Sequence, residues 1–362
     1  MKTVFLLQAS STVVKGGSEI QADLIMNELL KGRHEAYYVS DLIGTPKPGR
    51  KNVKYFYLKS YGTRYSILNV VSLLKVLKRI NPDLIYQRFR VAYTGIAAWY
   101  SKRHSSKMVF NIANENDSRK NRITLNRLIL FNFINEYLGR YGIRNASAIV
   151  AQTYDQQRII KQNFNRGSVV IRNGHPVPYG PFEKSMPPII LWVANIKPLK
   201  RLELFLDLAK ELEDTNAKFF YVGRPSSGVY QRMLDDRAKN LKNVSYVGEL
   251  SFENTNALFS KASVLVNTST REGFPNTFVQ AWMRETPVVS LNVDPDNLVE
   301  EKKIGFCSGS FDQLVKDVGN LIEDEETRQE MGKRARQYAI EDHDIKKTGR
   351  KYLDLFEKLV NS

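Results

Sequence analysis

One segment is the strongest indication of the fold class, and it reads Val264-Leu-Val-Asn-Thr-Ser-Thr-Arg-Glu-Gly-Phe-Pro-Asn-Thr-Phe-Val-Gln-Ala-Trp282. Its first four residues predict a strand, and the residues from Asn276 onward predict a helix. A Gly-Pro-Asn loop between them presents backbone N–H groups and a positive helix dipole at the strand's carboxyl end. Glu272 and Gln280 are both candidates to bind hydroxyl groups of a ligand there. On these residues alone, a tight turn with a solvated glutamate is the alternative.

Strand-like and helix-like segments alternate on both sides of this stretch, which predicts parallel sheets covered by helices. Amphipathic spacing predicts helices at Ser18–Leu30, Tyr65–Ile80 and Ile345–Leu359. The predicted strands are Thr3–Leu7, Ala36–Val39, Val53–Leu58, Leu84–Gln87, Lys107–Ile112, Ala148–Ala151, Ile189–Ala194, Lys218–Val222, Val244–Val247, Val264–Asn267 and Val288–Leu291.

A proline-rich segment interrupts this alternation and predicts two domains. Five prolines lie between Pro176 and Pro188, which is typical of a semi-rigid linker. We therefore expect an α/β protein with two doubly wound, Rossmann-like domains facing across a cleft, at residues 1–180 and 181–340. Residues 341–362 are predicted to form a C-terminal helix that packs back toward the first domain. In sheets of this kind, ligands bind beyond the carboxyl ends of the strands.

Charge is distributed unevenly along the 362 residues. The net charge is +16, yet residues 1–180 alone carry +18 and the remainder carries −2. A basic half joined to a neutral half indicates that one domain faces an anionic partner. A nucleic acid, an anionic membrane or a phosphorylated substrate would each fit. No nucleic-acid-binding motif is found, and aromatic residues do not alternate with the basic runs.

The segment Arg119–Arg144 combines many arginines with aliphatic and aromatic residues. This composition favours a helix lying on an anionic membrane surface, and a core-packed helix with a basic polar face is the alternative. No apolar run reaches the roughly 18 residues of a membrane span. Cys307 is the single cysteine, so no internal disulfide is expected. We expect a cytoplasmic protein that associates with the inner membrane face.

The loop beginning at Glu272 resembles the Glu-x7-Glu signature of retaining glycosyltransferases of the GT-B fold, particularly family 4. In that family the first glutamate contacts the donor sugar and the second holds the ribose hydroxyls. The resemblance assigns these roles to Glu272 and Gln280, where a glutamine replaces the usual glutamate. Loss of the charge weakens the expected hydrogen bonds to the ribose. Backbone amides of the following loop are implied to face the sugar and phosphate, and the candidates there are Gly273, Phe274, Pro275, Asn276 and Thr277.

Cations that follow the first strand of the second domain could neutralise a diphosphate, although a solvated basic loop is the alternative. The segment Val193-Ala-Asn-Ile-Lys-Pro-Leu-Lys-Arg201 resembles the family's Gly-Arg-x4-Lys motif. The resemblance makes Lys200 the lysine that stabilises the departing pyrophosphate. Asn195 replaces the usual arginine, and Lys197 or Arg201 is the candidate replacement for it.

The first domain carries a further candidate loop. Gly16 and Gly17 lie between the first strand and a helix, where they permit close approach to a phosphate. They resemble the Gly-Gly-x-Glu opening of family 4 enzymes. One departure is Ala113, which replaces a histidine or arginine found in many relatives, with Glu115 and Asp117 nearby.

The resemblance implies a hexosyltransferase that uses a UDP- or GDP-linked sugar, retains the anomeric configuration and needs neither metal nor cofactor. The expected acceptor is a glycan or a polyprenyl-diphosphate-linked sugar in polysaccharide or glycolipid biosynthesis. Glu272 and Lys200 are the predicted catalytic residues. Two alternatives stay open. One is a catalytically silent partner with the same fold, because three common functional residues are replaced. The other is a sugar-nucleotide epimerase, although the carboxylate and histidine machinery that it requires is not found.

Overall fold

The computed structural model describes residues 1–362 apart from 11, 13–15, 47, 120–128, 226 and 227. Of residues 63, 64, 129 and 130 it describes the backbone alone. The chain forms two compact units, and their boundaries fall at Gly174/His175 and Asp344/Ile345. No helix in the described part of the chain is long and apolar enough to cross a bilayer.

The first unit is built on a seven-stranded parallel sheet of order β3-β2-β1-β4-β5-β6-β7. Its strands are rich in β-branched and aromatic residues and are buried between helices, as parallel strands usually are. The strands are β1 (Lys2–Leu6), β2 (Glu35–Leu42), β3 (Val53–Lys59), β4 (Leu84–Arg88), β5 (Lys107–Asn111), β6 (Ala148–Ala151) and β7 (Val169–Val170). The helices are α1 (Gly17–Lys31), the 3-10 helix Thr63–Asn69, α2 (Val70–Ile80), α3 (Ala92–Arg103), α4 (Glu115–Ser118), α5 (Ile129–Asn145) and α6 (Tyr154–Phe164).

The second unit repeats the architecture with a six-stranded parallel sheet of order β10-β9-β8-β11-β12-β13. Its strands are β8 (Ile189–Val193), β9 (Lys218–Val222), β10 (Val244–Gly248), β11 (Val264–Asn267), β12 (Val288–Ser290) and β13 (Gly305–Cys307). Its helices are the 3-10 helices Pro198–Lys200 and Pro295–Asn297, with α7 (Leu202–Glu211), α8 (Val229–Ala238), α9 (Phe252–Lys261), α10 (Asn276–Trp282), α11 (Leu298–Glu301), α12 (Phe311–Glu323) and α13 (Glu325–His343).

The last helix, α14 (Ile345–Val360), belongs to the first unit and packs against α1. Gly349 permits this close approach, because a Cβ there would lie 2.4 Å from Cγ of Glu28. Tyr352 and Phe356 are buried in the core beneath the helix, and the Tyr352 hydroxyl accepts a hydrogen bond from Asn111 at 2.5 Å. The C-terminal residues thus complete the core of the first unit.

The two-sheet Rossmann-like α/β architecture predicted from sequence is confirmed. Some element boundaries differ. The predicted helix Tyr65–Ile80 divides into a 3-10 segment and α2, with a non-helical backbone at Tyr65. Strands β7 and β13 were not predicted, since two and three residues are too short to show a period. Of the predicted basic helix Arg119–Arg144, residues 120–128 lie outside the described residues.

Candidate active site

The predicted catalytic residues lie at the carboxyl edge of the second sheet. Strands β8 and β11 are parallel neighbours. Lys200 ends the 3-10 helix that follows β8, and Glu272 lies in the loop that follows β11. Because the carboxyl ends of adjacent parallel strands lie side by side, residues 72 positions apart in sequence are brought together.

Lys200 and Glu272 form a direct ion pair between Nζ and Oε1. The same carboxylate oxygen accepts hydrogen bonds from Ser269 Oγ at 2.8 Å and from Asn267 Nδ2 at 3.4 Å. The two charged side chains are 19% and 18% exposed, so they are partly screened from water yet reachable from solvent. Sequence reasoning missed Ser269 and Asn267, which hold the carboxylate in place.

Hydrogen bonds join the two loops that carry this pair. The amide of Thr270 donates to the Leu199 carbonyl at 3.1 Å. The Thr268 hydroxyl accepts from Trp192 Nε1 at 3.0 Å and donates to the Lys200 carbonyl at 2.8 Å. Thr268 is fully buried, so these bonds are shielded from competing water. The position of Lys200 therefore depends on the loop that also holds Glu272.

The other cations of the predicted diphosphate loop differ in their surroundings. Arg201 donates from Nε to the Thr268 carbonyl at 2.7 Å and from Nη2 to the Ser269 carbonyl at 3.4 Å. Its guanidinium therefore braces the backbone of the loop before Glu272. Asn195 and Lys197 are exposed to solvent. Gly223 lies beside this segment, and a Cβ there would be 1.8 Å from the Ala194 carbonyl oxygen, so only glycine fits.

The loop from Gly273 to Thr277 has side chains in the hydrophobic core of the second unit and others at the carboxyl edge of its sheet. The Phe274 side chain is buried, with its ring 4.9 Å from the imidazole of His343. Pro275 is the residue before α10 and has no amide hydrogen, so the expectation that the whole stretch presents amides is wrong at this position. Gly273, Asn276 and Thr277 are partly exposed.

His175 is a further residue at this edge of the sheet, and the sequence analysis did not identify it. Its Nε2 lies 3.2 Å from Oδ1 of Asn276, the first residue of α10. Burial lowers the pKa of His175 to about 4. The imidazole is therefore neutral near pH 7 and fixes the Asn276 side chain as a neutral hydrogen-bonding partner.

Gln280, the predicted counterpart of the second signature glutamate, is 6% exposed. Its Nε2 donates to Asn256 Oδ1 on α9 at 3.4 Å. This contact ties α10 to α9 and holds most of the Gln280 side chain away from solvent.

In the first unit, Gly16 precedes α1 and Gly17 is its first residue. The Glu19 carboxyl is 6% exposed and hydrogen-bonds the backbone of Gly16, and its burial raises the pKa. An acidic side chain of the chain itself therefore lies at the helix N-terminus where the sequence predicts a phosphate. The neighbouring Lys15 lies outside the described residues.

The carboxylates near Ala113 have local partners. Asp117 accepts from the amides of Ala113 at 2.8 Å and Asn114 at 3.1 Å, and its burial raises the pKa. Glu115 pairs with Arg119 at 3.2 Å. Within the described ranges, no group of three or more histidine, cysteine, aspartate or glutamate side chains has the arrangement of a metal site.

Sequence comparison relates the second unit to a known family. The family model described as Glycosyl transferases group 1 matches residues 180–338. The trehalose synthase of Thermococcus litoralis is 27% identical over 179 residues, which cover 46% of this chain and 43% of the relative. A Campylobacter jejuni alpha-1,4-N-acetyl-D-galactosaminyltransferase, named for an undecaprenol-diphosphate-linked glycan, is 27% identical over 173 residues, or 46% of each chain. The chain thus spans about half the length of the curated relatives it matches.

Structural comparison covers both units. Sucrose-phosphate synthase from Thermosynechococcus elongatus superimposes with a TM-score of 0.81 at 13% identity, over 99% of each chain. Anabaena HepE in complex with UDP and glucose superimposes with a TM-score of 0.75 at 18% identity, over 99% of this chain and 100% of HepE. These similarities establish the GT-B fold. Within this fold, residues 180–338, which contain the Lys200–Glu272 pair, are the part of the chain that is similar to the glycosyl transferases group 1 family.

Proposed function

We infer that this chain is a retaining hexosyltransferase that moves a hexose from a UDP- or GDP-linked sugar to a glycan or lipid-linked acceptor. The observation that carries the proposal is the Lys200–Glu272 pair, held at the carboxyl edge of the sheet within the part of the chain that is similar to the group 1 family. HepE, of similar fold, was solved with UDP and glucose, which supports a nucleotide-sugar donor.

Departure of the nucleoside diphosphate develops negative charge on the phosphates, and Lys200 is placed to stabilise it. A fixed ammonium at a partly dry edge stabilises this charge more than water does, because it needs no reorientation during the reaction. In the protein without a bound donor, the negative charge of Glu272 neutralises the charge of that ammonium. A bound diphosphate would share Lys200 with Glu272, whose carboxylate then accepts hydrogen bonds from hydroxyls of the hexose. No protein nucleophile is assigned, and no metal is required for this charge stabilisation.

The loop network has a positioning role in this proposal. Arg201, Thr268 and Ser269 fix the backbone and carboxylate around the pair. The neutral imidazole of His175 holds Asn276 at the start of α10. These contacts keep the groups in one geometry before the donor arrives, which reduces the entropy lost on reaching the transition state.

Purified protein should be screened by thermal shift against UDP, GDP, ADP and their sugar conjugates, and turnover then measured with the donor that binds. Binding to the folded state raises the melting temperature. We expect one nucleotide class to shift the parent and not Lys200→Ala. Lys239→Ala is the matched control, because that lysine is exposed and pairs with Asp236 away from the site. Normal turnover in both Glu272→Ala and Lys200→Ala would refute the assignment.

The proposed acceptor is carried on a polyprenyl diphosphate at the inner face of the membrane, in polysaccharide or glycolipid biosynthesis. Two features support it. Residues 1–180 carry a charge of +18. On α5, Phe133 and Tyr137 are 46% and 61% exposed, and large exposed aromatic residues beside basic ones favour an anionic interface. The named Campylobacter relative also acts on an undecaprenol-diphosphate-linked glycan.

Vesicle sedimentation tests this membrane association. The parent should sediment with vesicles that contain phosphatidylglycerol, and less so with pure phosphatidylcholine or at high salt. The double variant Phe133→Ser, Tyr137→Ser should lose binding while it keeps its nucleotide-induced thermal shift. Binding independent of lipid charge and salt would count against the proposal.

A catalytically silent partner is the second candidate, and one observation favours it. Gln280 is buried against Asn256, so the side chain expected to hold the ribose is both uncharged and shielded. A silent partner would show no turnover with any donor. Measured turnover that depends on Glu272 would eliminate it.

A further inference from the structure

A cavity of about 280 Å³ lies in the second unit at the amino edge of its sheet. Phe182, Lys184 and Met186 line it from the segment before β8, and Ser263 and Glu285 line it from the positions before β11 and β12. Arg328 closes it from α13. Amino and carboxyl ends of parallel strands lie at opposite edges of a sheet. The cavity is therefore separate from the Lys200–Glu272 pair.

Lys184 supplies a partly buried amine to this cavity. Its Nζ donates to the Arg284 carbonyl at 2.7 Å and to Thr286 Oγ1 at 2.8 Å. An ammonium has three hydrogens, so one N–H remains for an occupant of the cavity. Desolvation lowers the pKa of Lys184 to about 7, with the charge of Glu285 opposing the shift and those of Arg284 and Arg328 adding to it.

Two further polar groups line the cavity. Ser263 is 1% exposed, and its Oγ has no hydrogen-bond partner among the described residues. Arg328 is 5% exposed, and its Nη1 donates to the Leu321 and Ile322 carbonyls. A buried polar group without a partner is unfavourable, so an occupant that bonds to the Ser263 hydroxyl would be stabilised.

The charges around the cavity favour an anion. Lys184, Arg284, Arg328 and Arg336 contribute positive charge within or behind its wall, and Glu285 is shared with Arg336 at 3.7 Å. At the exposed rim, Glu325 and Lys333 on α13 balance each other. Basic side chains outnumber acidic ones around the cavity, which favours an anion over a cation. The volume lies near the lower limit of roughly 300 Å³ for small-molecule sites, so the occupant is small.

We propose that this cavity is a second ligand site, which binds a phosphate-sized oxyanion or the phosphoryl group of a small molecule. Lys184, Ser263 and Arg328 donate hydrogen bonds to its oxygens. The same chemistry fits free inorganic phosphate and a small phosphate monoester, and the probes below separate the two.

Binding should be measured by isothermal titration on the full chain carrying Lys200→Ala, which reduces anion binding at the other edge. The probes are sulfate, inorganic phosphate and glycerol 3-phosphate, at matched ionic strength with chloride. Ser263→Ala should weaken binding of each about fivefold to tenfold without loss of folding, since that hydroxyl bonds to no described protein atom. Ser245→Ala, an exposed serine on β10, is the matched control and should change nothing.

The pH dependence of sulfate binding gives a second readout, because sulfate does not titrate between pH 6 and 9. The charged groups facing Lys184 are Glu285, Arg284 and Arg328, with Glu325, Lys333 and Arg336 farther out, and desolvation brings the pKa of Lys184 to about 7. Bound sulfate raises that pKa. Affinity should therefore be greatest below pH 7 and fall by up to about tenfold per pH unit above it. Lys184→Met should bind weakly and show no such fall.

Tighter binding of glycerol 3-phosphate than of phosphate would identify a phosphate monoester as the ligand, and equal binding would identify the free anion. Either result supports the site if Ser263→Ala weakens it. The proposal is overturned if no probe binds saturably. It is equally overturned if Ser263→Ala and Lys184→Met bind all three probes as the parent does.

Discussion

Lys200 and Lys184 lie at opposite edges of the same sheet and have opposite surroundings. Lys200 pairs directly with the Glu272 carboxylate and is partly exposed. Lys184 is also partly buried, but it donates to two neutral oxygens, and desolvation lowers its pKa to about 7. A nearby carboxylate favours the charged form of a lysine, whereas desolvation favours the neutral form.

These surroundings determine what each lysine can do. A cation fixed at a solvent-accessible edge of the sheet can stabilise the negative charge of a departing phosphate. An amine that is easily deprotonated binds an anion only by taking up a proton, so its affinity responds to pH. The two sites should therefore respond differently to mutation, and the following experiments separate them.

The largest effect is expected on turnover. Lys200→Ala should lower kcat about 10²–10³-fold, because it removes the fixed charge that faces the departing diphosphate. Lys184→Met should leave kcat within a factor of about two to three, since it lies at the far edge of the sheet. Steady-state kinetics with the donor found by thermal shift measure both. Equal losses of kcat in the two variants would contradict the placement of the catalytic site at the carboxyl edge of the sheet.

The second-largest effect is expected on the free energy of unfolding, to which Lys184 makes a pH-dependent contribution. Its folded pKa of about 7 lies below the unfolded value of 10.5, so the unfolded chain binds more protons between these values. The free energy of unfolding contributed by Lys184 therefore rises with pH from about 7 to 10.5. Between pH 7.5 and 9.5, the parent should gain about 2–3 kcal/mol relative to Lys184→Met. Urea unfolding at the two pH values measures this difference, and a constant difference would contradict the assignment.

A smaller effect of the same pH direction, at lower pH, is expected from His175. Burial lowers its folded pKa to about 4 from 6.5, so the stability due to the neutral imidazole is fully present above pH 6.5. That stability is lost as pH falls toward 4, by about 2 kcal/mol between pH 6.5 and 5. His175→Gln keeps a hydrogen-bonding side chain toward Asn276 without a titratable group. The difference in stability between the parent and this variant should shrink over the same interval, and urea unfolding at pH 6.5 and 5 tests it.

Much of this architecture could be predicted from the sequence. Runs such as Lys218–Val222 and Val264–Asn267 were predicted with the observed bounds, since apolar β-prone runs between polar loops identify buried strands. The short strands β7 and β13 could not be predicted, because they are defined by pairing with the neighbouring strands β6 and β12. The start of α6 is set by Thr153, whose side chain accepts from the Gln156 amide.

Prediction of the candidate site from the sequence is limited for the same reason, since contacts between distant segments define it. A family resemblance singled out Glu272 and Lys200, but their contact arises from the adjacency of β8 and β11, which no local pattern encodes. The burial of Gln280 against Asn256 depends on how α9 and α10 pack. Lys184 is not part of any sequence motif. Its surroundings come from three segments far apart in sequence, so only the folded chain shows its unusual charge state.

The smallest effect concerns the bonds that tie Lys200 to the Glu272 loop. Thr268→Val removes the hydroxyl while preserving shape, and it leaves the buried Trp192 Nε1 without its acceptor. Stability should fall by about 1–2 kcal/mol, and Thr268→Ser, which keeps the hydroxyl, should recover most of it. Since the same hydroxyl donates to the Lys200 carbonyl, Thr268→Val should also lower kcat while Thr268→Ser does not. Urea unfolding and kinetics on the two variants separate these effects. If Thr268→Val lowers stability and leaves kcat unchanged, the bond stabilises the sheet without positioning Lys200. If it lowers both, the carboxyl edge depends on a buried hydroxyl for its geometry as well as on the ion pair for its charge.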